Sequence, residues 1–163
     1  MASEEVLNGA RAALTFFFAY VNTVAQEIGM ERAVGLLTKM AEGMGAMQGQ
    51  MLKQQAGVEQ ADAKTAGALA VTVPQGLGLA FEVIEESPQK AVRKGGRCSI
   101  YEAAQMLGMD AKSICRAGPL RFMDAVAKQL NPNLSWQVLK FRSSVDDFCE
   151  EACVLGEPFK FPD

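Results

Sequence analysis

The sequence contains no histidine. That absence removes Ser-His-Asp and Cys-His nucleophile arrangements, His-ligated haem and every zinc site built on imidazole. Acid–base work must then come from Asp, Glu, Lys, Tyr or Cys. Long apolar runs are missing too. The nearest to one, "ARAALTFFFAYVNTVA", follows Glu4 and Glu5 where a secretory signal carries positive charge, and Asn22 and Gln26 interrupt it. No span reaches the length needed to cross a bilayer, so a cytoplasmic protein with no membrane partner is expected. Nor is there an excess of basic charge. A net charge of −3 and a pI near 5.1 argue against a nucleic-acid partner. The one local basic stretch, "KAVRKGGR" with Lys90, Arg93, Lys94 and Arg97, reads as the solvated face of a strand.

What is present suits an ordinary globular chain. With 163 residues, 49% hydrophobic and 21% charged, it is expected to form a single domain over 1–163 with its own core. Four cysteines in such a chain suit free thiols or metal ligands better than a disulfide framework.

Val6, Leu7, Ala10, Leu14, Phe17, Val21 and Val24 recur every three or four residues, which predicts a helix over 4–27 stopped by Gly29. Phe16, Phe17 and Phe18 point in different directions on that helix. At least one is expected to face a partner chain, in a homodimer through the N-terminal helix. A second helix over about 30–55 has Val34, Leu37, Met40, Ala41, Met44, Met47, Met51 and Leu52 on one face, read as core. Its glycines, Gly35, Gly43, Gly45 and Gly49, weaken a helix unless a neighbouring helix or a ligand comes close. A third helix over 59–72 ends at Pro74.

The period then changes. "LAFEVIEE" and "KAVRKGGRC" read as a hairpin turning at Pro88. "SIYEAAQMLG" is a short helix, with Ser99 and Glu102 as a capping box. Another helix starts near Asp110 or at Pro119, and "LSWQVLKFRS" and "DDFCEEACV" supply two more strands. The order α-α-(α)-β-β-α-α-β-β predicts an α+β fold, with helices on one face of an antiparallel sheet of about four strands. It divides into a helical part (1–73), a mixed part (77–155) and an irregular tail (156–163).

Cys98 stands just before the predicted cap. Unpaired N–H groups there, with Arg97 beside them, would favour a thiolate and activate a cysteine without histidine. The plainer reading is a small buried residue ending a strand. Cys115 is either a core cysteine or a second wall of the same pocket, with Arg116 as a carboxylate binder. Cys149 and Cys153 share a face, but their spacing is not that of a zinc ribbon. Zinc held by Cys98, Cys115, Cys149 and Cys153 is therefore weakly indicated, and no cofactor is expected. Asp146, Asp147, Glu150 and Glu151 could supply a base or a metal ligand, but read more readily as a solvated charged edge.

Taken in order, "ERAVGLLTKMAEGMGAMQGQ", "GGRCSIYEAAQMLG", "ICRAGPLRFMDAVAKQLNPNLSW" and "FRSSVDDFCEE" resemble the L-2-amino-thiazoline-4-carboxylic acid hydrolase family over roughly 27–154. The resemblance implies a hydrolase that opens a small carboxylated cyclic C–N compound to a carbamoyl-cysteine. Arg97 and Cys98 fall on the family's strand-end motif, Cys115 on its mid-domain cysteine, Asn131 and Pro132 on its Asn-Pro, and Cys149 on its terminal cysteine. Ser99 stands where the family usually has Pro, and Gly118 where a carboxylate commonly follows the mid-domain cysteine. The architecture is also similar to 4-vinyl-reductase-like domains. An enzyme of this kind would use Cys98 against the amidine-like carbon. Arg116 or Arg142 would hold the substrate carboxylate, and Asp124 or Tyr101 would handle protons. The alternative is a small-ligand or metal-binding module with an apolar pocket lined by Met44, Met47, Phe81 and Trp136 and walled by the cysteines.

Overall fold

Two long helices open the chain, α1 (Glu4–Ile28) and α2 (Met30–Ala56), separated by Gly29. The computed structural model describes residues 3–162, so what was expected of residues 1, 2 and 163 lies outside it. Helix α1 buries Leu7, Phe18, Val21 and Ala25, whereas Phe16 is 83% exposed.

The inner face of α2 differs from the expected one. Ala33, Leu37, Ala41, Gly45, Gly49 and Leu52 are buried, and Leu36, Met40, Met44, Met47 and Met51 are half-exposed. The small-residue stripe is what lets α7 (Pro119–Leu130) approach. A Cβ on Gly49 would stand 2.7 Å from the carbonyl oxygen of Val126, and one on Gly45 would run into that of Phe122. Main chain cannot step aside as a side chain can, so the close contact selects glycine at both positions. Gly35 and Gly43 have open space around them.

The third helix is shorter than its pattern suggested. α3 (Ala63–Ala70) is capped by Asp62, whose carboxylate accepts the Thr65 N–H at 2.7 Å. A short α4 (Thr72–Gly76) follows. Pro74 lies in its first turn, where no N–H is needed, and so does not end the preceding helix.

Strands β1 (Phe81–Glu86) and β2 (Lys90–Gly95) form the predicted hairpin. Helices α5 (Ser99–Met106), α6 (Ala111–Ala117) and α7 then lead to β3 (Leu134–Lys140) and β4 (Cys149–Leu155). The result is an α+β fold with one antiparallel sheet in the order β1-β2-β4-β3. Strand register sets Ala91, Cys153 and Trp136 side by side against the helices, and Val92 and Ala152 on the opposite face. Arg93 falls on the helix side and is buried, correcting the reading of its stretch as a solvated face.

Asn131 latches this frame. Its Nδ2 donates to the Ala61 carbonyl at 2.9 Å and its Oδ1 accepts the Asn133 N–H at 2.9 Å. The tail after β4 docks along the β3 edge, where the Val138 N–H donates to the Lys160 carbonyl at 3.0 Å. Phe159 and Phe161 pack on the core.

Candidate functional site

The link from β2 to α5, the start of α5, the loop after β3 and the start of β4 converge on a cavity of about 60 Å³. One water needs roughly 10–15 Å³ by this measure, so the space takes a small molecule or part of one. Its polar and thiol-bearing wall is Cys98, Tyr101, Cys115, Arg142, Cys149 and Glu151, set among apolar side chains.

Cys98 is itself the N-cap of α5, with extended backbone (φ −136°, ψ 109°) and its carbonyl accepting the Glu102 N–H at 3.0 Å. The predicted capping box is absent. The Ser99 hydroxyl is buried and donates to the Leu77 carbonyl at 3.4 Å, and Glu102 turns to Arg97 and Arg11. Two guanidinium partners outweigh one return bond to a backbone N–H.

Burial pushes the Cys98 thiol up to about 11. The N–H groups of Tyr101 and Ile100 and the charge of Arg142 pull the other way and lose. The helix start therefore does not yield the depressed thiol expected of it: desolvation of the charged form is the larger effect. Burial likewise holds Cys115 well above its ordinary value, with Cys98, Cys149 and Glu151 adding to the rise.

Cys153 stands apart from this cavity, fully buried, its thiol pushed up to about 12 by burial. The four cysteines thus do not form one set. Among the described residues, no group of three or more Cys, Asp or Glu is arranged to hold a metal ion.

Arg142 is 3% exposed and is held mainly by main-chain oxygen. Nη2 donates to the carbonyls of Gly95, at 3.2 Å, and Gly96, and Nη1 to that of Val145 at 3.5 Å. The guanidinium lies 5.4 Å from the centre of the Tyr101 ring. Among the described residues it forms no ion pair, and its Nε has no partner. It is a fixed cation in the wall of the cavity.

Glu151 lines the same space. Burial raises its carboxyl, against the Trp136 indole N–H, which donates to Oε2 at 2.8 Å, and the charge of Arg142.

The other candidates lie elsewhere. Asp124 is buried behind the cavity, where Oδ1 accepts the Trp136 backbone N–H at 2.9 Å and Oδ2 accepts from Lys128 at 2.5 Å, tying α7 to β3. Trp136 is a core residue that reaches the site only through Glu151. Arg97 bridges Glu102 and Glu4, joining α1 to α5 outside the cavity. Arg116 is exposed, 5.7 Å from the Phe161 ring centre. Of the residues proposed for an apolar pocket, Phe81 lines this cavity, Met44 lines a second one, and Met47 faces outward.

Glu151 corrects its reading as a charged edge. Asp146 is exposed and Asp147 pairs with Lys140 at 2.5 Å, as an edge would have it, but Glu151 points inward. The signal was in "CEEAC": strand period two puts Glu151 on the face shared by both cysteines.

Three comparisons bear on this arrangement. The phenol-responsive sensory domain of the transcription activator PoxR, in a crystal structure with phenol, superposes with a TM-score of 0.62 at 13% identity. The match covers 87% of this chain and 74% of that one, and at such low identity it is a likeness of fold. No curated protein matches the sequence. The family model described as L-2-amino-thiazoline-4-carboxylic acid hydrolase matches residues 9–150, which carry five of those six wall residues, all but Glu151. The chain belongs to the L-2-amino-thiazoline-4-carboxylic acid hydrolase family.

Proposed function

We propose that the cavity binds a small carboxylated cyclic C–N compound of the amino-thiazoline type and opens its ring by hydrolysis. The observation that carries this reading is Arg142: buried, anchored by carbonyls, without an ion pair, and sharing a cavity with a carboxyl of raised pKa. A substrate carboxylate supplies the missing negative charge to a guanidinium set in the cavity wall. Glu151 is the base, since burial moves its carboxyl toward working pH and Trp136 fixes its orientation.

Water is the better nucleophile here. With its thiol at about 11, Cys98 is thiolate in only about one molecule in ten thousand at pH 7. Glu151 takes a proton from a water, and the water oxygen bonds to the amidine carbon. A ring bond from that carbon then breaks, and the departing heteroatom takes the proton held by Glu151. Tyr101 and the thiols shape the wall and exclude other water.

Binding without turnover is the second reading. It is favoured by the largely apolar wall with its protonated thiols, and by the phenol in the PoxR domain. One experiment separates the two. Incubation with 2-amino-thiazoline-4-carboxylate, followed by mass spectrometry and calorimetry, should show a carbamoyl-cysteine product and saturable binding. Binding with no product after prolonged incubation would leave only the second reading, and no binding would remove the first.

A further inference from the structure

A second and larger cavity, of about 330 Å³, lies beside the first and is lined by apolar residues throughout. Leu14 and Phe17 of α1, Ala41 of α2 and Phe122 of α7 form its sides, with the half-exposed Met40 and Met44 of α2 at its mouth. The two cavities share four wall residues: Pro74, Ile100, Pro119 and Met123. That shared wall carries one unbranched and flexible side chain, Met123. Interiors rarely leave such volume unfilled, and apolar walls favour an apolar guest over water.

We propose that the two cavities together take one amphipathic ligand. Its carboxylate meets Arg142 in the thiol cavity, and its apolar arm runs past Met123 into the space between α1, α2 and α7. This inference rests on Arg142 as the carboxylate binder and adds that the natural ligand carries an apolar substituent on its carboxylated head. Charge complementarity selects the class. A neutral apolar molecule makes no use of the buried guanidinium in the wall of the first cavity, and a compact carboxylate leaves the larger cavity empty.

The test is calorimetric titration of the full chain with butyrate, octanoate and 1-octanol. Each methylene buried in an apolar site is worth about fourfold in affinity. Octanoate should therefore bind more than 100-fold more tightly than butyrate, and about tenfold or more above 1-octanol. Met44→Trp, which narrows the mouth, should remove most of the first difference, and Met40→Trp does the same should that variant fail to fold. Met47→Trp, on the same exposed stripe but not a wall of the cavity, should change neither difference. Arg142→Met should remove the preference of octanoate over octanol. If butyrate binds through Arg142 but octanoate binds no better, the apolar arm is wrong and the head-group reading stands. If octanoate keeps its advantage in both Met44→Trp and Met40→Trp, its chain lies elsewhere and the inference fails. If octanoate and octanol bind alike in the unmodified protein, Arg142 holds no carboxylate, and this inference and the reading beneath it fail together.

Discussion

Arg93 and Arg142 are both almost wholly buried, at 4% and 3% exposure, and each leaves one guanidinium nitrogen without a partner. Their surroundings differ. Arg93 pairs with Glu86 at 3.2 Å and lies flat against Gly67 of α3, where a Cβ would stand 2.5 Å from its Nη1. No room for a ligand remains at that nitrogen. Arg142 has carbonyls behind it and a cavity in front. Strand register even sets Glu151 directly opposite Arg93, yet the two side chains take different partners, Trp136 and Glu86. Had they paired, the carboxyl would be pulled down, as hydrogen bonds from Arg97 pull down Glu102, and would make a poor base. The contrast shows that a buried arginine points to a ligand only where the residue lines a cavity.

The largest effect that would test this contrast belongs to Glu151. Glu151→Gln should lower turnover of the amino-thiazoline by about a thousandfold and leave substrate affinity nearly intact. Because burial raises this carboxyl, kcat/KM should climb with pH along a limb lying above the ordinary value of 4.5, and the variant should lack that limb. Arg142→Met comes next, with binding of carboxylated ligands weakened about 100-fold in calorimetry. Equal loss from Arg93→Met would erase the distinction between the two arginines.

Thiol chemistry gives a third measure. Native Cys98 should alkylate about 100-fold more slowly at pH 8 than a free thiol of ordinary value 9.0, its rate rising tenfold per pH unit toward about 11. The folded state holds this proton more tightly than the unfolded chain. Ionisation therefore costs stability, and thermal melting should fall as pH rises from about 9 toward 11. A fast reaction at neutral pH would return Cys98 to the role of nucleophile.

Smaller effects are expected on the Arg93 side. Gly67→Ala should destabilise the protein by about 1 kcal/mol in chemical denaturation, since a buried guanidinium must shift, with ligand affinity unchanged. Arg93→Met should move stability by no more than about 1 kcal/mol in either direction, because an apolar side chain of similar length replaces a costly buried charge.

Much of this arrangement was legible in the sequence, and the failures have specific causes. The α2 glycines pointed to a close neighbour, and Gly45 and Gly49 meet α7. The methionines were misassigned because a stripe of small residues buries as well as a stripe of large ones when another helix lies near. Cys98, Cys115, Tyr101 and Arg142 were picked from residue type and context and do converge. Asp124 was chosen for its place on the following helix, but a backbone N–H and a lysine already occupy its two oxygens.

Apolar periodicity and strand alternation fixed the order of the elements, and the missing histidine ruled out imidazole chemistry. Family membership was likewise readable from the order of short motifs. Tertiary structure alone decided which arginine of three faces the cavity, that Glu151 points in while Asp147 points out, and that Cys98 keeps its proton. Those outcomes depend on desolvation and pairing among segments remote in sequence: β2 with β4, the loop after β3 with the Gly95–Gly96 turn, and α2 with α7. Residue type sets what a group can do, and the neighbours that exclude water from it set what it does.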